Sequence, residues 1–151
     1  MHGLDRAREL AVQEHGLAVV ATTRRDGSVQ ASVVNAGVID HPVTGEAVLA
    51  FVARGAVTKL VNLRARPRTT VVIRAGWDWV TVEGEAELAG PDDAIEGLVP
   101  DDVAELLRVI YATAVGGTPD DWSTLDGTMT AERQTAVLVR PSRVYGGAGD
   151  A

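Results

Sequence analysis

ATTRRDGSVQASVVN, residues Ala21 to Asn35, reads as strand, tight turn, strand. Arg25-Asp26-Gly27 carries the Asp-Gly signal of a β-hairpin, because the turn needs a residue at ease with positive φ. Leu17 to Thr23 (LAVVATT) is the strand entering the turn, and Ser28 to Asn35 (SVQASVVN) alternates and returns beside it. Upstream, Leu4 to Glu14 places Leu4, Ala7, Leu10 and Ala11 on one helical face, with Gly16 as the stop.

Downstream, Asp40 to Glu46 (DHPVTGE) reads as a turn and Ala47 to Ala53 (AVLAFVA) as a third strand. Val57 to Arg66 predicts a short helix with Val57, Leu60, Val61 and Leu63 inward, ended by Pro67. Thr69 to Ile73 is a fourth strand and Trp79 to Leu88 a fifth. In the fifth, Val80, Val82, Gly84, Ala86 and Leu88 alternate with Thr81, Glu83, Glu85 and Glu87. A helical stretch begins at Pro91 and continues through Val103 to Ala114, and Pro119 to Arg133 reads as loop and weak helix. Thr135 to Arg140 is the last clear strand, with Arg143 to Tyr145 extending it, and the tail from Gly146 to Ala151 is expected to be disordered. About six antiparallel strands with short peripheral helices make a mainly β, α+β single domain over residues 1–151, a small closed or partly closed barrel.

Charge is segregated along the chain. Residues Ala47 to Trp77 hold Arg54, Lys59, Arg64, Arg66, Arg68 and Arg74 and no Asp or Glu. The chain totals −7, so this window is +6 and the remainder −13. A focused positive field on an acidic protein suits a small anion, most simply a phosphate. Nucleic acid is a poor match, because the chain is acidic, the cations form one short cluster and aromatics are 4%. Without cysteine there is no disulfide, thiolate metal site or cysteine nucleophile. His2, His15 and His41 are scattered, so no metal site is expected. No apolar run approaches the roughly 20 residues of a membrane span, and the N-terminus lacks a signal-peptide layout. The expected location is cytoplasmic.

Lys59 is the one lysine beside thirteen arginines. It lies near the start of the predicted helix, where free N–H groups and the dipole favour an anion. Thr58 adds a hydroxyl on the same turn, Arg54 lies five residues earlier at the strand end, and Asn62 is on the same face at i+3. The competing reading of Lys59 is an exposed helix lysine. Arg64, Arg66 and Arg68 either solvate a face or bind an anionic tail. Trp77 and Trp79 alternate about Asp78, so on a strand they share one face; barrel core or dimer interface fits them better than ring stacking. No Ser-His-Asp set, metal cluster or acid pair emerges, so no catalytic side chain is assigned.

Three stretches carry a family likeness: ATTRRDGSVQASVVN (Ala21 to Asn35), FVARGAVTKLVNLRARPR (Phe51 to Arg68) and WDWVTVEGEAELAGPDD (Trp77 to Asp93). Together they resemble the pyridoxamine 5'-phosphate oxidase-like split β-barrel family, nearest its branch that uses the deazaflavin coenzyme F420. The Lys-x-x-Asn-Leu-Arg-x-x-Pro-Arg string from Lys59 to Arg68 is the most specific part. The resemblance implies a homodimer with two cofactors in grooves between the barrels. It implies Val33, Val34 and Asn35 at the ring, Arg54, Thr58 and Lys59 at the phosphate with Asn62 in support, and Arg74, Trp77 and Trp79 near the dimer groove.

The implied activity is hydride transfer between reduced deazaflavin and a flat conjugated acceptor such as a quinone, an enone or a tetrapyrrole-like molecule. The alternatives are an FMN oxidoreductase of the same fold and a non-catalytic flavin, F420 or haem binder. The FMN oxidases often end in an Arg-x-x-x-Trp-like segment, whereas this chain runs Arg-Pro-Ser-Arg-Val-Tyr-Gly-Gly from Arg140, without Trp. That departure and an Arg-rich, Lys-poor usage that suits a high-GC actinobacterium favour the deazaflavin.

Overall fold

The computed structural model describes residues 3–115 and 132–147. Seven strands form one antiparallel sheet: β1 (Leu17–Thr23), β2 (Val29–Asn35), β3 (Gly37–Asp40), β4 (Ala47–Ala53), β5 (Arg68–Ala75), β6 (Asp78–Ala89) and β7 (Thr135–Gly147). The helices are α1 (Asp5–Ala11), α2 (Thr58–Ala65) and α3 (Asp101–Val115). The strand order is β2-β1-β5-β6-β7-β4-β3.

The two outer strands of that order are neighbours in the chain. β2 pairs with β1 and β3 pairs with β4, and only Ala36 separates them. One bent run therefore links both ends of the sheet, which curls it into a split barrel. Ala36 holds the bend through its N–H, which donates to the Gly16 carbonyl at 2.7 Å. The run AGVI was not assigned from sequence because it is short, and its pairing partner β4 lies beyond the intervening turn. The expected six strands thus become seven.

The hairpin at Asp26-Gly27 forms as the sequence predicts. The Arg24 N–H donates to the Ser28 carbonyl at 2.7 Å, and Gly27 takes φ +89°. The Asp26 carboxylate accepts from the Ser28 N–H at 2.9 Å, the local bond that fits Asp to turns.

Burial explains the composition of the strands. Leu49 and Phe51 of β4 point into the barrel with Ile73, Val82, Val137 and the helical Leu10, Leu60 and Leu63. Val48 and Ala50 of the same strand point outward beneath α3, against Leu106, Leu107, Ile110 and Leu138. A strand covered on both faces reads as an unbroken apolar run, which AVLAFVA is. Phe51, the sole Phe, is fully buried; truncating such a side chain to Ala costs about 3–5 kcal/mol.

Several boundaries differ from the sequence reading. Residues 91–100 form turns and an isolated bridge between Gly90 and Asp93, and the helix begins only at Asp101. β7 runs through Pro141, which lies at an irregularity in the β6–β7 register, a position where proline is tolerated. Gly84 faces Pro141 there, and a Cβ on it would lie only 2.0 Å from the Arg140 carbonyl oxygen. Gly146 and Gly147 are paired with Val80 and Trp79, so the expected tail loses its first two residues to the strand. Residues 148–151, and the loop and weak helix expected up to residue 131, lie outside the described residues. Among the described residues no helix is long and apolar enough to cross a membrane.

Candidate functional site

The turn before α2 is closed by the Val57 N–H donating to the Arg54 carbonyl at 3.3 Å. Val57 then caps α2 in extended conformation, and a valine side chain has nothing to offer the helix N–H groups; no side-chain cap bond forms. Among the described residues, the N–H groups of Thr58 and Lys59 find no acceptor. The dipole and these free donors make the head of α2 positive. α2 has no acidic residue in its first turn.

Lys59 is the second residue of this helix. It is half-buried and makes no hydrogen bond or ion pair with any described residue. Burial holds its ammonium below the usual lysine range, since desolvation disfavours the charged form. An ammonium withdrawn from water without a counter-charge is unfavourable until an anion joins it. Thr58 beside it is exposed.

The other five cations of the basic window all have partners. Arg54 Nε lies 3.3 Å from Glu132 Oε2. Arg64 grips Asp93 through Nε at 3.0 Å and Nη2 at 2.8 Å, and that pairing raises its pKa. Arg66 Nε donates to the Thr23 carbonyl at 2.8 Å and Nη2 to Asn62 Oδ1 at 3.4 Å. Arg68 approaches Glu83 at 3.6 Å, and Arg74 approaches Glu14 at 3.8 Å while donating to the Gly76 carbonyl at 2.7 Å. Carboxylates from outside the window fold onto it, so the expected +6 field is largely cancelled. Arg66 is held by neutral acceptors only, and among the described cations of this window Lys59 alone has no partner of any kind.

Asn62 is buried, and its amide is engaged inside the protein. Its Nδ2 donates to Thr22 Oγ1 at 3.0 Å, and Thr22 in turn donates to Gln30 Oε1 at 3.1 Å. Val61, expected inward, is 54% exposed, and Asn62 takes the inward place because Thr22 satisfies it. Asn62 thus fastens α2 to β1 and orients Lys59 one turn away.

On β2 the side chains alternate. Val33 is 64% exposed and Asn35 also faces outward, while Val34 is buried in the barrel. A ring lying on the outer side of this strand meets the side chains of Val33 and Asn35, but not that of Val34. Asn35 Nδ2 donates to the His15 carbonyl at 2.8 Å, which steadies His15 at φ +57°, an uncommon setting for a non-glycine residue. Ser32 Oγ, on the same strand, is buried without a partner among the described residues.

Asn35 and Arg54 come together at a cavity of about 230 Å³ whose walls also include Tyr111, Glu132 and Gln134. Thr58 and Lys59 lie outside that cavity. Tyr111, Glu132 and Gln134 were not legible as neighbours of Arg54, because they are contributed from far along the chain. Arg74, Trp77 and Trp79 gather at the β5–β6 end, where Arg74 is the register partner of Trp79. Trp77 occupies the turn before β6 and is 83% exposed, so the two tryptophans do not share a strand face. Trp79 packs edge-on against Tyr145, with ring centroids 6.1 Å apart. Among the described residues no group of three or more His, Asp or Glu is placed to hold a metal ion.

Comparison with known proteins bears on this arrangement. A search of the curated proteins finds no match. Among solved structures, a conserved hypothetical protein from Mycobacterium tuberculosis superposes with a TM-score of 0.68 at 20% identity, over 93% of this chain and 83% of that one. An FMN-binding protein related to pyridoxamine 5'-phosphate oxidase, from Nostoc punctiforme, gives 0.63 at 15% identity over 99% and 82%. An F420 reductase gives 0.54 at 19% identity over 91% and 94%. At these identities the likeness is one of fold. The family pattern of pyridoxamine 5'-phosphate oxidase, however, matches residues 4–144, from the start of the first helix to near the end of β7. With the barrel, the basic helix and the paired β5–β6 motif all inside that match, the chain belongs to the pyridoxamine 5'-phosphate oxidase family.

Proposed function

We propose that the protein is an F420-dependent oxidoreductase that passes a hydride between reduced deazaflavin and a flat conjugated acceptor. The single observation that carries this reading is Lys59, a half-buried ammonium with no described counter-ion at the uncapped head of α2. An ammonium, the Thr58 hydroxyl and two free backbone donors fit a phosphate. The hydride chemistry belongs to the bound coenzyme, so the absence of an acid-base pair among the assigned residues is no objection. The chain's own task is to hold the anionic linker at Lys59, keep α2 in place through Asn62, and present the outer side of β2 to the ring.

A homodimer completes the site in this reading. Leu17 and Val19 of β1 and Val29 and Val33 of β2 are exposed, and Val19 faces Val33 across the pair. An apolar sheet face of this kind supports packing against a second copy.

FMN is the second reading, favoured by the same donor set, because it too carries a phosphate. Fluorescence titration with F420 and with FMN separates the two. Lys59→Ala should weaken binding of the preferred cofactor by about 1.5–3 kcal/mol, the scale of a charge-assisted hydrogen bond. Equal affinity in wild type and variant overturns the placement of the phosphate at Lys59.

A further inference from the structure

We propose that Lys59 is also a covalent modification site, whose side-chain amine takes acyl groups directly from small acyl phosphates. The chain has one lysine, so acyl transfer that forms an amide on a side chain has a single target. Thirteen arginines offer positive charge but no free amine at any ordinary pH.

Geometry singles out the residue further. A carboxylate beside an amine keeps it protonated and blocks attack, and four of the other five cations of the window, Arg54, Arg64, Arg68 and Arg74, sit beside one. Lys59 has none among the described residues, and α2 has no acid in its first turn. It is half-buried rather than sealed, so a small reagent reaches it. The lowered proton affinity of its amine enlarges the reactive fraction near neutrality. The uncapped head of α2, with the free N–H groups of Thr58 and Lys59, favours a dianionic donor over a neutral one.

The reaction balances without another reagent. The amine nitrogen attacks the acyl carbon and an amide N–C bond forms. The bond from that carbon to the phosphate oxygen breaks, inorganic phosphate departs with the electron pair, and the surplus proton passes to water. The product is a neutral amide. If Lys59 holds the coenzyme phosphate as proposed above, acylation removes the charge that binds it and turns the site off; that consequence, unlike the reaction, rests on the proposed function.

The test is incubation of the full chain with acetyl phosphate at neutral pH, with Lys59 occupancy followed by peptide mass mapping. A terminally blocked peptide of residues 55–63 is the reference, and the neutral ester p-nitrophenyl acetate is the second reagent. Acetyl phosphate should label Lys59 in the folded chain several-fold faster than in the peptide, and the ester should show a clearly smaller ratio. A folded chain labelled no faster than the peptide, or equal ratios for the two reagents, overturns the proposal. Coenzyme binding is measured separately on unmodified and acetylated protein. If the unmodified chain binds no coenzyme the functional reading fails, whatever the mapping shows.

Discussion

The side-chain amide of Asn62 donates to the hydroxyl of Thr22 at 3.0 Å, joining α2 to β1 inside the protein where neither side chain meets solvent. Removing one partner of a buried hydrogen bond strands the other. Asn62→Ala should therefore destabilise the fold by about 1–3 kcal/mol. Urea unfolding measures this, and a midpoint equal to wild type would refute the fastening role. Asn62→Ala should affect anion affinity less than Lys59→Ala does.

Lys59 predicts a pH dependence. Its pKa is lowered in the folded chain, so between the folded and the ordinary value the unfolded chain binds more protons, and stability rises with pH across that window. Coenzyme affinity should move the opposite way, falling as the amine loses its proton. Titrations at neutral pH and well into the alkaline range check this. Lys59→Arg should flatten the profile, since arginine stays charged.

His41 locks the turn between β3 and β4. Its Nδ1 accepts from the N–H groups of Val43 at 3.1 Å and Thr44 at 3.2 Å, so that nitrogen carries no proton and Nε2–H donates to Glu87 Oε1 at 3.0 Å. Asparagine presents its carbonyl oxygen near where Nδ1 stands. His41→Ala should cost about 1–3 kcal/mol by leaving those donors unpaired, and His41→Asn distinctly less. Equal losses in a thermal or urea series would show that the turn does not depend on the acceptor.

The Tyr145 phenol donates to Glu83 Oε2 at 2.8 Å, and that bond to a carboxylate, with some desolvation, pushes its pKa above the ordinary phenol range. A raised folded value means this contribution to stability is complete below the ordinary phenol range and is lost as pH rises through the shifted one. Phenolate absorbance should show Glu83→Gln ionising at lower pH than wild type, with Tyr145→Phe identifying the band. An unshifted curve in Glu83→Gln would remove Glu83 as the cause.

Local signals were legible where the chain obeys short-range rules. The Asp26-Gly27 turn, the alternation of β6 and the helix ending before Pro67 follow from turn chemistry and periodicity. What escaped depends on contacts between distant residues. Val61 and Asn62 exchange their expected sides because a hydroxyl forty positions away satisfies the amide. Arg64 meets Asp93 and Arg54 meets Glu132, so a basic segment in sequence is not a basic patch in space. Lys59 remained a sound candidate because no described acidic group folds back upon it.

The placement of β7 between β6 and β4 has a consequence for biosynthesis. Of the described strands β7 leaves the ribosome after the other six, yet it joins the β2-β1-β5-β6 half of the sheet to the β4-β3 half. Until residues Thr135 to Val139 emerge, β4 has only β3 beside it, and its apolar run stays partly uncovered. Nascent chains should accordingly remain protease-sensitive and chaperone-bound until β7 has emerged, and then close in one cooperative step.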